Sequence, residues 1–278
     1  MRIAILTVIF LTGIAFGGDY NALILETIAK EMPKGGIYAK YRKDLPEGKR
    51  FDDLQQTVAD LDKAIEPKKN GELSVTPKKA KSYSFCSSAT FLAFAEVTEQ
   101  LIEDGKVPKS ETLSRDLAWT GSKEDVIGGK LDGVGIFGHW NADGPGTAML
   151  FKTLDLGPNF SDYAKARPGD FMKIFWNENI GKGERGHLVV YLGDTDGGKA
   201  VKVWSSQTEN DDGSNGYGVM TVEKSRIKRV VFSRLTKPEN LANWVTLSES
   251  QKSSAYLIRI RKTGSSGEEM AKVVGLEN

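Results

Sequence analysis

The chain has 278 residues, a formal net charge of +1, 39% hydrophobic residues and 27% charged residues. This composition is typical of a soluble globular protein, and the length allows one large domain or one domain with an added segment. A net charge near zero argues against a broad basic surface for nucleic acid, so we expect no nucleic-acid partner.

Residues 1–17 have the pattern of a secretory signal. Arg2 precedes a short apolar run, and Ala15 and Gly17 are small residues at positions that a signal peptidase reads. The run is shorter than the roughly 20 residues of a full membrane span. We therefore expect a cleaved signal peptide, no stable membrane insertion afterwards, and a secreted or periplasmic protein; a retained membrane anchor is the alternative.

Residues 18–81 are predicted to form an N-terminal helical segment followed by a basic linker. Apolar residues recur at helical spacing in residues 20–32 and 51–65. Residues 66–81 are rich in lysine and proline, which favours a solvated loop. The alternative for this linker is attraction to an anionic polymer such as a cell wall.

The only cysteine of the chain, Cys86, lies at the start of an apolar run with helical spacing. Ser84, just before it, is a helix-start signal, so we predict a helix that begins near Cys86 and continues to about residue 104. Free backbone N–H groups at a helix N-terminus stabilise a thiolate. A lone cysteine is a small buried hydrophobe, a partner for another chain or a reactive thiol.

The second half of the chain changes from helical to strand periodicity. Residues 128–146 are rich in glycine and are predicted to form a loop that lines a cleft, and residues 147–156 a helix. Strands are predicted at 170–176, 187–192, 200–204, 217–222, 227–232 and 255–261, and a flexible tail at 263–278. This order favours an α+β fold in which N-terminal helices, including the cysteine helix, pack on an antiparallel β-sheet.

A thiolate nucleophile needs a base, and the chain has two histidines. His187 follows Gly186 at the start of a predicted strand and is favoured over His139 as the base; a hydrogen-bonded structural histidine is the alternative. Gln207 is the first choice to orient the imidazole, before Ser205 or Ser206. Two histidines and one cysteine give no zinc-binding spacing, so we expect neither a metal nor another cofactor.

Four short stretches, in this order along the chain, resemble the papain-like cysteine peptidases of the NlpC type and their amidase relatives of the CHAP type. The stretches are Phe85-Cys86-Ser87-Ser88, Arg167-Pro168-Gly169-Asp170-Phe171, Gly186-His187-Leu188-Val189-Val190-Tyr191-Leu192-Gly193 and Trp204-Ser205-Ser206. Phe85 stands where the family often has aspartate, and the orienting residue of the family is often a histidine. Asp170 corresponds to a structural turn residue.

The resemblance implies a papain-like (NlpC-type) hydrolase domain over residues 82–262. It implies hydrolysis of peptide or amide bonds, commonly in peptidoglycan, through a thioester on Cys86, with His187 as base and acid and Gln207 as orienting group. The residues expected to contact substrate are Tyr83, His139, Trp140, Trp204 and Ser205. Two alternatives remain open: a catalytically inactive cell-wall-binding or interaction module on the same fold, and an acyltransferase.

Overall fold

The computed structural model describes residues 20–121 and 132–277. The predicted signal peptide and the first part of the glycine-rich stretch lie outside these ranges. The α-helices are α1 (Asn21–Lys30), α2 (Asp52–Ala64), α3 (Cys86–Glu103), α4 (Glu111–Ala118), α5 (Gly135–Asn141), α6 (Gly146–Leu154), α7 (Asn243–Thr246), α8 (Ala255–Thr263) and α9 (Gly267–Val274). The strands are β1 (Ile37–Tyr38), β2 (Ile65–Pro67), β3 (Leu73–Val75), β4 (Tyr83–Ser84), β5 (Asn159–Phe160), β6 (Phe171–Phe175), β7 (Gly186–Thr195), β8 (Ala200–Gln207), β9 (Gly216–Glu223), β10 (Arg229–Ser233) and β11 (Leu276–Glu277).

The main sheet has the strand order β11-β5-β10-β6-β7-β8-β9. Every neighbouring pair is antiparallel except β11 and β5, which are parallel. Helices from the first half of the chain cover one face, where Phe171, Val190 and Trp204 pack in one cluster with residues of α3. The predicted α+β class with a largely antiparallel sheet is confirmed.

Helix α3 is buried on nearly all sides. Strands β7 and β8 contact it from the sheet, and α1, α2 and α5 contact it from other directions. Its small and aromatic residues fit this environment, and the hydroxyls of Thr90 and Thr98 bond to backbone carbonyls of the preceding turn. Within the described ranges, no helix combines the length and the apolarity needed to cross a membrane.

The predicted helices at 20–32, 51–65, about 86–104 and 147–156 and the first five predicted strands are present, with ends shifted by a few residues. The strand predicted at 255–261 is wrong, because these residues form α8. Leu257 and Ile260, three residues apart, are both fully buried, and Ser254 Oγ accepts the Leu257 N–H at the helix start. A short run of alternating apolar and charged residues fits both the two-residue period of a strand and the 3.6-residue period of a helix. Here tertiary packing selects the helix.

The C-terminal residues are not a flexible tail. Helix α9 buries Met270 and Val274 in a cluster with Leu257 and Ile260, and β11 joins the edge of the main sheet beside β5. The spacing of Met270 and Val274 is the helical i, i+4 spacing, so both side chains lie on the face of α9 that packs on this cluster. The predicted domain end at residue 262 therefore falls inside α8.

The N-terminal residues share the main hydrophobic core. Ile24 of α1 and Leu61 of α2 belong to the same cluster as α3 and the inner face of the sheet. The predicted basic linker is in fact ordered: β2 and β3 pair as an antiparallel hairpin, and Leu73 and Ala80 are buried. Its lysines lie on the surface of this hairpin region, which explains why its composition resembled a linker.

Candidate active site

The N-terminus of α3 lies where two strands of the sheet separate. Strands β7 and β8 are paired from Val190 and Trp204 onward, but residues 186–189 of β7 and 205–207 of β8 are not paired with each other. In this gap, the single proton of Ser205 Oγ is shared between the Leu188 carbonyl at 2.8 Å and the Cys86 carbonyl at 3.2 Å. Ser205, predicted as a substrate contact, therefore ties the start of α3 to the two strands.

Local hydrogen bonds hold the start of α3. The Phe85 N–H donates to Ser88 Oγ at 2.9 Å, and the buried hydroxyls of Ser84 and Ser206 lie 2.7 Å apart. Cys86 is the first helical residue, so its own N–H has no acceptor within the helix. The arrangement predicted from the sequence, a cysteine in the first turn of a helix, is confirmed.

The side chains of Cys86 and His187 lie next to each other, close enough for the imidazole to act on the thiol. Burial raises the pKa of the thiol, but the hydrogen bond and charge of His187, a hydrogen bond from the Leu188 backbone and the charge of Lys173 outweigh this effect. Together they lower the pKa of Cys86 from 9.0 to about 7. Cys86 as a residue is partly exposed and lines a cavity, so it combines thiolate character with access.

The imidazole of His187 is held against the sheet. His187 lies opposite Ile174 in the β6–β7 ladder, and the indole of Trp176 stacks on its ring at a centroid distance of 6.4 Å. Its Nε2 atom is buried without a hydrogen-bond partner in the described structure. One ring nitrogen is thus available for an orienting group.

Gln207, the predicted orienting residue, lies at the same end of the β7–β8 pair as His187. Its amide nitrogen donates to the Gly218 carbonyl at 3.1 Å and to the side chain of Asn210, whereas its Oε1 atom is buried with no partner within the described residues. No hydrogen bond joins Gln207 to His187 in this arrangement. Its orienting role stays a prediction.

Tyr38 is a site residue that sequence reasoning missed. Strand β1 pairs in parallel with β4 and places Tyr38 opposite Ser84, so that the phenol lies beside the Cys86 thiol. The negative charge of the thiolate, together with burial, raises the pKa of Tyr38. The sequence carries no signal for this contact, because a two-residue strand has no detectable periodicity.

Lys173 and Glu184 were also missed. Lys173 Nζ lies 2.7 Å from the buried carboxylate of Glu184. Burial lowers the pKa of Lys173, but Glu184 outweighs it and the net shift is upward, so the ammonium stays charged beside the thiol. The sequence did carry a signal for this cation. Lys173 lies between two apolar residues of a predicted strand, Met172 and Ile174, which indicates a lysine on a buried strand.

A cavity of about 180 Å³ opens beside Cys86. Its lining includes Trp140, Asp143 and Lys173, so it combines an aromatic surface with both charge signs. Trp140, predicted as a substrate contact, is thus beside the thiol, although its ring is almost fully buried and its Nε1 donates to Thr90 Oγ1 at 3.0 Å.

The remaining predicted substrate contacts lie elsewhere. His139 belongs to α5 and not to a loop; its buried ring bonds through Nδ1 to the Gly135 carbonyl and packs edge-on against Trp244. Trp204 lines a different cavity, beside α1 and β9. Tyr83 is partly buried on β4 and is not part of the described lining of the Cys86 cavity.

Among the described residues, no group of three His, Cys, Asp or Glu side chains could hold a metal ion. Comparisons of the chain with protein-family models, curated proteins and solved structures gave no match.

Proposed function

We propose that the protein is a cysteine hydrolase of peptide or amide bonds, with Cys86 as nucleophile and His187 as base and acid. The observation that carries this proposal is the adjacency of the two side chains at the N-terminus of α3, beside an open cavity. Structural cysteines are usually inert thiols in apolar surroundings. A thiol with a pKa of about 7 and an imidazole partner is instead suited to nucleophilic catalysis near neutral pH.

The reaction follows from these positions. The Cys86 thiolate attacks the carbonyl carbon, and the oxygen takes the negative charge opposite the free backbone N–H of Cys86. The carbon–nitrogen bond then breaks as protonated His187 gives its proton to the departing amine, which leaves a thioester. His187 next takes a proton from water, whose oxygen attacks the thioester and releases the acid and the thiolate.

The order of a cysteine helix, a histidine strand and the Gln207 strand on one antiparallel sheet supports a papain-like, NlpC-type core. The secretory pattern of residues 1–17 supports a substrate outside the cytoplasm. Peptidoglycan is the substrate we propose, because it combines peptide and amide bonds with an extracytoplasmic location.

The test is release of soluble fragments from purified peptidoglycan sacculi, with a generic peptide substrate in parallel. We expect Cys86→Ser and His187→Ala each to lower kcat by on the order of a thousandfold or more, and the double variant to lose little more, because both residues serve one step. His139→Gln is the matched control, since it keeps a donor for the Gly135 carbonyl and lies outside the Cys86 cavity.

Two results would overturn the proposal. The first is wild-type protein that cleaves neither material at any pH between 5 and 9. The second is cleavage by Cys86→Ser and His187→Ala at the wild-type rate.

A further inference from the structure

A second cavity, of about 310 Å³, lies at the opposite end of α5 from the Cys86 cavity. Gly135, the first residue of α5, lines this second cavity, whereas Asn141, the last residue, lines the cavity of Cys86. Seven helical residues span about 10 Å. The side chains that define the second cavity, called the Trp119 pocket below, are Arg115, Asp116, Trp119, Trp244, Glu249 and Lys252.

Trp119 forms an accessible aromatic wall of this pocket. Its side chain is 37% exposed, which is unusual for an indole. Gly135 has a φ of +72°, and a Cβ at this position would lie 2.6 Å from the indole ring. The ring, at Cζ3 and Cε3, therefore lies directly against the backbone of Gly135.

The polar part of the pocket places an acceptor beside a donor. The Asp116 carboxylate accepts the indole N–H of buried Trp244 at 2.9 Å, and it lies 3.4 Å from Lys252 Nζ. Both charged side chains are largely buried, so they are held in place rather than free to rearrange. A hydroxyl group both donates and accepts, so it can bind the carboxylate and the ammonium together.

The charges of the pocket balance. Arg115 and Lys252 carry two positive charges, and Asp116 and Glu249 carry two negative charges. A balanced set gives no net field to select an ionic ligand. The pocket instead suits a neutral ligand with several hydroxyls on its edge and an apolar face for the indole.

We infer that the Trp119 pocket is a binding site for a neutral saccharide, of which it holds one or two rings. A pyranose ring has C–H groups on one face, which pack against the electron-rich face of an indole, and hydroxyls around its edge. The cavity volume lies at the lower end of the roughly 300–1,000 Å³ that small-molecule sites occupy. This inference does not rest on the proposed hydrolase; if both hold, a glycan occupies this pocket while its peptide branch occupies the cavity of Cys86.

The test measures binding of three neutral oligosaccharides, chitotriose, cellotriose and maltotriose, by titration calorimetry and saturation-transfer NMR. The Cys86→Ser protein is used, so that hydrolysis plays no part. We expect saturable binding of at least one trisaccharide, weakened about tenfold or more by Trp119→Ala, which corresponds to the roughly 1.4 kcal/mol of a lost aromatic stack. Trp119→Phe should retain part of the affinity, and Lys252→Gln should lose part of it.

The matched control is Phe51→Ala, which removes an aromatic ring of nearly equal exposure, 38%, on another part of the surface. Circular dichroism and reactivity of the Cys86 thiol, measured in the same substitutions without Cys86→Ser, verify that each variant is folded. The inference is overturned if none of the trisaccharides binds at 10 mM, or if Trp119→Ala and Phe51→Ala bind like the unmutated pocket.

Discussion

The hydroxyl of Tyr38 lies beside the thiol of Cys86, within reach of a hydrogen bond, although the whole of α2 lies between the two residues in the chain. The β1–β4 pair makes this contact possible, because it places Tyr38 beside Ser84, two residues before the cysteine. The thiol thus has one partner from the sheet, His187, and one from the N-terminal segment. The N-terminal segment is therefore a component of the candidate site.

Tyr38→Phe is expected to raise the pKa of Cys86, because the thiolate loses a hydrogen-bond donor while its burial is unchanged. A hydrogen bond to a charged group contributes about 1.5–3 kcal/mol, which corresponds to roughly one to two pKa units. The measurement is iodoacetamide alkylation against pH. Tyr41→Phe, an exposed tyrosine on the same segment, is the control. An unchanged alkylation midpoint in Tyr38→Phe would show that the phenol does not stabilise the thiolate.

The wild-type alkylation midpoint is expected near pH 7, as the lowered pKa of Cys86 requires. In His187→Ala the midpoint should rise to pH 9.0 or above. Burial still raises the pKa of Cys86, and the imidazole, which is the largest of the effects that lower this pKa, is gone. Since only the thiolate reacts, the rate at pH 7 should fall by on the order of a hundredfold. His139→Gln is the histidine control. Equal midpoints in wild type and His187→Ala would contradict activation of Cys86 by His187.

Gln207→Leu tests the orienting role. The buried Nε2 of His187 and the buried Oε1 of Gln207 both lack partners in the described structure and lie at the same end of their strands. We expect substitution to lower kcat by about tenfold or more with little change in KM, because an unoriented imidazole transfers protons poorly. Nitrogen-15 NMR should show a changed tautomer ratio for His187. If kcat and the tautomer ratio both stay at wild-type values, Gln207 is a structural residue.

Glu96 should make stability depend on pH. Burial, with a smaller contribution from the charge of Glu99, raises the pKa of Glu96 from 4.5 to about 7, and one carboxylate oxygen has no partner in the described structure. The folded protein therefore binds more protons than the unfolded chain between about pH 4.5 and 7, so stability falls as pH rises through this range. Glu96→Gln should remove the contribution of Glu96 to this dependence and stabilise the protein at pH 8 by about 1–3 kcal/mol.

Urea unfolding at pH 5 and pH 8 measures the effect of Glu96. The control is Glu103→Gln, which removes a charge from the exposed end of the same helix. A wild-type protein as stable at pH 8 as at pH 5, or an equal gain from both substitutions, would contradict the assignment.

Asp170→Asn should destabilise the fold without entering the chemistry. The fully buried carboxylate accepts from Arg234 through Nε and Nη2, both at 2.7 Å, and from Asn21 at 2.8 Å, so it joins α1 to the sheet. Breaking a buried ion pair on one side costs about 3–5 kcal/mol. We expect a matching loss in urea unfolding, and a wild-type alkylation profile of Cys86 at low temperature. Asp162→Asn, at an exposed turn, should cost little.

The sequence by itself was sufficient for the local features. The spacing of apolar residues located the first two helices, α3, α6 and the five strands from β6 to β10, because the apolar residues of each element recur at the period of its secondary structure. The pairing of Cys86 with His187 could be predicted for a related reason. A single cysteine at a helix start leaves few possible bases when the chain holds only two histidines.

Tertiary structure alone decided the rest. Tyr38, Lys173 and Glu184 reach the thiol region through strand register and ladder geometry, which join residues distant in sequence without any local pattern. His139 illustrates the opposite case, since its glycine-rich sequence suggested a loop. The residue instead belongs to a helix, and its imidazole packs against Trp244, away from the cavity of Cys86. Long-range pairing is a property of the assembled sheet. The chain entropy that is lost when distant residues are brought together is offset only once the whole core forms.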